Sequence, residues 1–377
     1  MNCFPTIYEN ELLYSCISRY RRMTGIVNKK ALMNDLYNQN VSLNSIYFPV
    51  HCEHIINNLP INNKITVDNL IKENTLFRVF SSFINEEKAL LVYKGMKNSE
   101  RFSPYSKLGL VGTKIEMQNN LLYCPECINE DMKRYGESYW RVLHQVPGVF
   151  YCDKHKIPLI KSNICSNDSR IDFVCVEDID ESMSTPAILD DKNINLNLKY
   201  IRMVEYLLKN DVKRREKDFF NNIYIDKLRD RGLTSYNGNL HIKELEDAFI
   251  SFYSNDYLRL MQSEIDINNE NNWLRKFIRK SNKQKHVLRH LLMIQFLNIN
   301  IEELFDMNEA EGKRKYIYVP NPRLDVYEQR RKWIEVLKEH PNLNKSEYKK
   351  IGKGLYSWLY KNDNEWFEES TQKYENI

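Results

Sequence analysis

The sequence predicts a mainly α-helical protein: an N-terminal helical domain into which a small cysteine–histidine module is set, followed by helical units of helix-turn-helix type. Three observations carry that prediction. Glycine and proline are scarce, at 11 each in 377 residues, within Lys-, Asn-, Glu- and Leu-rich stretches that favour helix. Apolar residues recur at helical spacing along most of the chain. Two short pairs, "CPEC" and "CDKH", stand 24 residues apart.

Taken in order, "NELLYSCISRYRRMTG" puts Leu12, Leu13, Cys16, Ile17 and Tyr20 on one helical stripe, stopped by Gly25 after a basic last turn. Shorter helical patterns follow at "NTLFRVFSSFI" and "EEKALLVYKGM", so residues 1–120 read as an N-terminal helical region. Residues 121–161 carry the cysteine–histidine module. Residues 162–197 turn polar, acidic and Asn/Ser-rich and read as a loop-rich connection with one short strand at "IDFVCV". Residues 198–306 read as a helical basic domain, with Ile242, Leu245, Phe249 and Phe252 on one stripe of "HIKELEDAFISFY". A last unit, 326–369, splits into three helices at Pro341 and at Gly352 and Gly354, with Asn344 and Glu347 spaced as a capping box. The acidic stretch "NEWFEESTQKYENI" follows as a tail that leaves any polyanion alone.

Cys124 and Cys127 repeat their spacing in Cys152 and His155. Two residues between ligands let a tight turn aim both side chains at one ion, and two such turns complete a tetrahedron of three thiolates and one imidazole. That donor set suits a single structural Zn²⁺. Pro125, Glu126 and Asp153 fit exposed knuckle turns. His144, in "RVLHQVPGVFYC", lacks the paired spacing and reads as a core histidine or a group behind the ligands. A redox dithiol would need a βαβ setting that is missing. Cys165 and Cys175 have no histidine nearby, and Cys3, Cys16 and Cys52 read as packing residues.

The overall charge is only +4, but it is unevenly placed: residues 1–190 hold 21 Lys+Arg against 22 Asp+Glu, and residues 273–361 hold 20 against 10. "WLRKFIRKSNKQKHVLRH" carries Arg275, Lys276, Arg279, Lys280, Lys283, Lys285 and Arg289 with no acid among them. Such a stretch predicts a phosphate-contact surface, against the alternative of a solvated helix face. In the last unit Lys349, Lys350, Lys353, Tyr356, Tyr360 and Lys361 are candidates for the same double-stranded DNA, with Trp358, Leu359 and Trp366 as the packing face. A small helical bundle without DNA contacts is the competing reading.

No P-loop, G-x-S-x-G, H-E-x-x-H or G-x-G-x-x-G motif occurs, and no catalytic residue is assigned, so an enzyme is not expected. A metal-dependent nuclease is the enzymatic alternative and would cleave DNA with added Mg²⁺. The first residues do not combine a basic stretch with an apolar run, and no apolar run approaches the roughly 20 residues of a membrane span. The expectation is a cytoplasmic protein, and the family resemblance given next implies a bacterial, nucleoid-associated one.

The opening "FPTIYENELLYSCISRY", the block "YCPECINEDMKRYGESYWRVLHQVPGVFYCDKHKIPL", the stretch "WLRKFIRK…HVLRHLLMIQFL" and the end "LYSWLYKNDNEWF" resemble, in the right order, the TniQ/TnsD family of transposon target-site selectors. The resemblance implies a non-enzymatic adaptor. It would bind attachment-site DNA and recruit an AAA+ ATPase regulator, which brings the transposase subunits. The CRISPR-associated TniQ branch implies an alternative, docking on an RNA-guided ribonucleoprotein. Carried onto this chain, the zinc ligands fall on Cys124, Cys127, Cys152 and His155, and "YWRVLHQVPG" falls between them as packing around the finger.

Overall fold

The computed structural model describes residues 1, 3–38, 45–60, 63–98, 102–166, 173–179, 186, 188–216, 218–234, 240–279, 284–309 and 325–375. It divides into two compact units, Met1–Lys315 and Tyr316–Ile377. Both are built mainly of helices.

In the first unit the opening helix, Leu13–Thr24, buries Leu13, Cys16, Ile17 and Tyr20 and ends on Gly25 in the left-handed conformation. Its preceding segment is sewn to residues 140–142: Leu12 N donates to Trp140 O at 2.8 Å, and Val142 N donates to Asn10 O at 2.8 Å. Beside this seam lies a buried charge network. Arg19 Nη1 donates to both carboxylate oxygens of Glu11, at 3.0 and 2.8 Å, and Arg19 and Arg22 both reach Glu137. Because neither Arg19 nor Glu11 has appreciable access to water, removal of one partner strands the other.

The long helix Asp191–Lys209 starts on an Asp190 cap and supports the segment that joins the two cysteine–histidine pairs. Asn197 accepts from Phe150 N at 3.1 Å and donates to Gly148 O at 2.7 Å, while Tyr200 donates its hydroxyl to Pro147 O at 2.8 Å. Gly148 is required there. Its φ is +89°, and a Cβ would sit 2.8 Å from the Met261 methyl. The helix Val287–Phe296 is buried almost all round, as expected of a central helix.

The described strands are Asn120–Tyr123 and Ile160–Cys165, an antiparallel pair with Leu122 opposite Lys161 and Tyr123 opposite Ile160. The strand expected at "IDFVCV" is not formed in its described part. Residues 173–175 run without a ladder into a 3₁₀ turn at Val176–Asp178. The physical reason is that side chains take the backbone groups instead. Arg21 donates to Phe173 O, Trp140 Nε1 to Val174 O, and Val174 N donates to the Tyr14 hydroxyl.

The second unit holds Val326–Glu339, Lys345–Asn362 and Asn364–Glu375 around Trp333, Leu337, Tyr348, Leu359 and Phe367. The capping box at Asn344 and Glu347 is present. At Lys353, with φ 41° and ψ −115°, the middle helix breaks between the two glycines. The acidic tail is a third helix in its own right: Phe367 and Thr371 are buried, and Thr371 Oγ1 accepts from Trp333 Nε1 at 3.0 Å. Its net acidity hid an apolar stripe that completes the small core.

Candidate metal centre

The first pair sits where the strand Asn120–Tyr123 passes into the helix Pro125–Tyr135. Cys124 is the residue just before the helix, and Pro125 opens it. Proline is at home there because its missing N–H would have had no helical partner. Cys127 then falls in the first helical turn, facing back toward Cys124. This pair is therefore a strand-to-helix junction rather than a free knuckle turn. Arg141 holds the helix from behind, gripping Asp131 with two bonds of 2.9 Å, and Ser138 donates to the same carboxylate.

The second pair is a tight turn. Cys152 N donates to Ile157 O at 2.8 Å, Lys156 N donates to Cys152 O at 3.0 Å, and Lys156 takes a positive φ. His155 N points at the Cys152 sulfur from 3.4 Å. The strand Ile160–Cys165 then returns alongside Asn120–Tyr123, closing the module.

These two turns bring the four side chains together. His155 Nδ1 lies 3.4 Å from the Cys124 and Cys127 sulfurs and 3.6 Å from that of Cys152, and the Cys127 and Cys152 sulfurs are 3.7 Å apart. A zinc ion with bonds of about 2.3 Å to sulfur and about 2.0–2.1 Å to nitrogen spaces its ligands by roughly 3.5–3.8 Å around a tetrahedron. The donor atoms stand close to that spacing, and the three cysteines are buried. The residues fit a metal ion in both geometry and chemistry. Four protein donors also fill a tetrahedral shell, leaving no position for a reacting water.

The thiols press on one another. Hydrogen bonding from Cys127 and Cys152 lowers the Cys124 thiol, while the same contact with Cys124, followed by that with Cys152, pushes Cys127 upward. A cation among the sulfurs releases their protons outright.

One partner of the candidate ligands, Glu130, was not assigned from the sequence. Glu130 Oε1 lies 3.1 Å from His155 Nε2, and Lys154 pairs with the same carboxylate. Lys154 first, then His155, hold the Glu130 carboxyl down at about 2. A carboxylate behind a ligating imidazole fixes the ring and its tautomer. Glu130 is three residues beyond Cys127 on one helix, so i,i+3 spacing was the available signal. His144, on the 3₁₀ turn Leu143–Gln145, is buried with Nε2 3.8 Å from Asp153 Oδ1.

The basic stretch is divided by its surroundings. Arg275 is turned onto Glu246 with bonds of 2.6 and 2.8 Å. Lys285 donates to Asn221 and lies over the Phe277 ring. Arg289 is packed over Trp273, and burial lowers it to about 10. Lys276 and Arg279 are exposed, and Lys280 and Lys283 lie outside the described residues. In the second unit Lys349, Lys350, Lys353 and Lys361 are exposed and carry no ion pair among the described residues. Tyr360 is 54% exposed, whereas Tyr356 is packed against Trp333 and Phe367.

Residues 2–159, which include all four metal-site side chains, match the TniQ family. Residues 201–331 and 325–376 match the TnsD family, described as Tn7-like transposition protein D. The transposon Tn7 transposition protein TnsD of Escherichia coli is 23% identical over 391 aligned residues, which span the whole of this chain and 75% of that relative.

Proposed function

We propose that this chain, which belongs to the TniQ/TnsD family of transposition proteins, is the target-site selector of a Tn7-like transposon. The observation that carries the reading is the succession of the two family matches, TniQ then TnsD, along one chain that aligns from end to end with a TnsD protein. In this reading the protein does no chemistry on DNA. It binds attachment-site duplex and recruits an AAA+ regulator and, through it, the transposase.

Cys124, Cys127, Cys152 and His155 hold one structural Zn²⁺. The ion supplies folding free energy by tying a strand, a helix and a returning strand that are too short to hold one another. In the second unit we read Val326–Glu339 and the two halves of Lys345–Asn362, on either side of Lys353, as a helix-turn-helix. Lys349, Lys350, Lys353 and Lys361 are its phosphate contacts, and Tyr360 stands on the half-helix that enters the groove. Tyr356 is kept as part of that half-helix's support. Of the cations in the basic stretch, Lys276 and Arg279 are the described ones left for phosphate, since Arg275, Lys285 and Arg289 are engaged within the fold; Lys280 and Lys283 are assigned with them from the sequence.

Footprinting on the transposon's insertion locus tests the reading. It predicts one protected segment at a fixed distance from the insertion point, with binding that weakens as salt rises. Absence of any salt-dependent duplex binding sinks it. Capture of a CRISPR ribonucleoprotein by a chain that binds no duplex would favour the guide-directed TniQ alternative, and cleavage with added Mg²⁺ would favour a nuclease.

A further inference from the structure

His144 is held at the metal centre in a way that its role as packing does not explain. Its ring is 2% exposed. The turn that carries it is fixed by its neighbour, because the Gln145 side chain accepts from Leu122 N at 3.0 Å and donates to Leu122 O at 2.9 Å. The turn is thus anchored to the strand that leads into Cys124. Yet its Nε2 is shut off from water and makes no hydrogen bond. A buried imidazole nitrogen without a partner is costly, and the groups that face this one decide whether it carries a proton.

Two candidate acceptors face it. Asp153 Oδ1 is 3.8 Å away, and the Cys152 sulfur lies within 4.8 Å of both. His144 groups with these two and not with Cys124, Cys127 and His155, so it stands on the outer side of Cys152 rather than among the ligands. A neutral thiol is a poor acceptor, whereas a metal-bound thiolate carries charge that draws an N–H toward it. Glu130 reaches its ligand, His155, through that ring's outer nitrogen. His144 reaches Cys152 from the strand side.

We infer that His144 is a positioning residue of the metal centre, whose Nε2–H is shared between the Cys152 thiolate and the Asp153 carboxylate and fixes Cys152 in its ligating orientation. The inference rests on the zinc reading above. Removing the donor leaves Cys152 freer to rotate and more nucleophilic, so the ion leaves faster although all four ligands remain.

The test uses the full chain, its His144→Leu variant and its His144→Gln variant, whose amide nitrogen replaces the donor. Metal content is measured first: a metal-free wild type overturns the zinc reading itself, and this inference with it. Given one ion per chain, His144→Leu is expected to release zinc to a chromogenic chelator about tenfold faster, and His144→Gln to restore release to within about threefold of wild type. In Co²⁺-loaded protein the thiolate-to-metal charge-transfer bands shift in the Leu variant and return in the Gln variant. Unchanged release and bands in His144→Leu overturn the inference, as do two ions in wild type with one lost in that variant. Should neither variant fold, NMR of isotope-labelled, cadmium-loaded wild type decides. A proton on His144 Nε2 coupled through Cys152 to the metal supports the inference, and a bare Nε2 overturns it.

Discussion

At the scale of single residues, the metal ligands and two glycines give the sharpest expectations. Zinc is expected at about one equivalent per chain, and Cys127→Ser should lose both the ion and the cooperative melting of the first unit, because metal binding is coupled to folding. Elemental analysis with a thermal melt checks this, and full occupancy without Cys127 would refute the ligand set. Gly352 and Gly354 look alike in the sequence but not in the fold. A Cβ on Gly352 would stand 2.6 Å from the Trp333 ring, whereas one on Gly354 meets nothing. Gly352→Ala is therefore expected to cost about 1–3 kcal/mol by overpacking. Gly354→Ala should be neutral or stabilise by up to about 1 kcal/mol. Chemical denaturation of both variants compares them directly.

His286 gives a residue-scale pH dependence. Burial lowers its imidazole to about 3, with the nearby Arg289 adding to the effect. The unfolded chain binds this proton at an ordinary histidine value, so the contribution to stability is full above about pH 6.5 and declines as pH falls toward 3. Its ring nitrogen accepts from Leu288 N, a bond that asparagine can replace. His286→Asn is expected to flatten the stability-against-pH slope between pH 4.5 and 6 by about 1.4 kcal/mol per pH unit. An unchanged slope would show that this ring does not titrate on unfolding.

At the scale of elements, short-range spacing is what made the fold legible. The opening helix, its Gly25 stop and the capping box at Asn344 all follow from local pattern and are present. The helix Ile242–Tyr253 buries Leu245 and Phe249 of its expected stripe, with Tyr253 buried and Ile242 and Phe252 only half-buried. The paired cysteine–histidine spacing placed four donors together for the same reason. The described part of "IDFVCV" pairs in no ladder because its backbone partners, Arg21, Trp140 and Tyr14, come from far away in the chain. The fate of Arg275 was hidden likewise: its acid-free neighbourhood in sequence is answered by Glu246, on another helix. In the second unit the exposed lysines lead to a prediction. Lys349→Ala, Lys350→Ala and Lys361→Ala combined should weaken duplex binding across sequences and lower the salt slope by about 2–3, near 0.9 for each phosphate no longer neutralised. An unaltered slope would remove this unit from the phosphate surface.

At the scale of the whole molecule, each unit has a hydrophobic core of its own. The large core, from Leu12 to Phe305, absorbs the metal module through the seam at residues 140–142 and the clamp on Gly148. The small core depends on a few side chains, chiefly Trp333. Trp333→Ala is expected to cost about 3–5 kcal/mol and to melt the second unit alone, seen as protease cleavage beyond residue 325 with the first unit intact. The TniQ match lies within the first unit, and the TnsD matches run from the first unit into the second. The most direct test maps transposon insertions with the AAA+ regulator and transposase present, with and without this chain, and with no guide RNA. Adding the chain is expected to gather insertions at one site in one orientation, beside its own footprint. Insertions that stay scattered, or that gather only when a guide RNA is supplied, would contradict it.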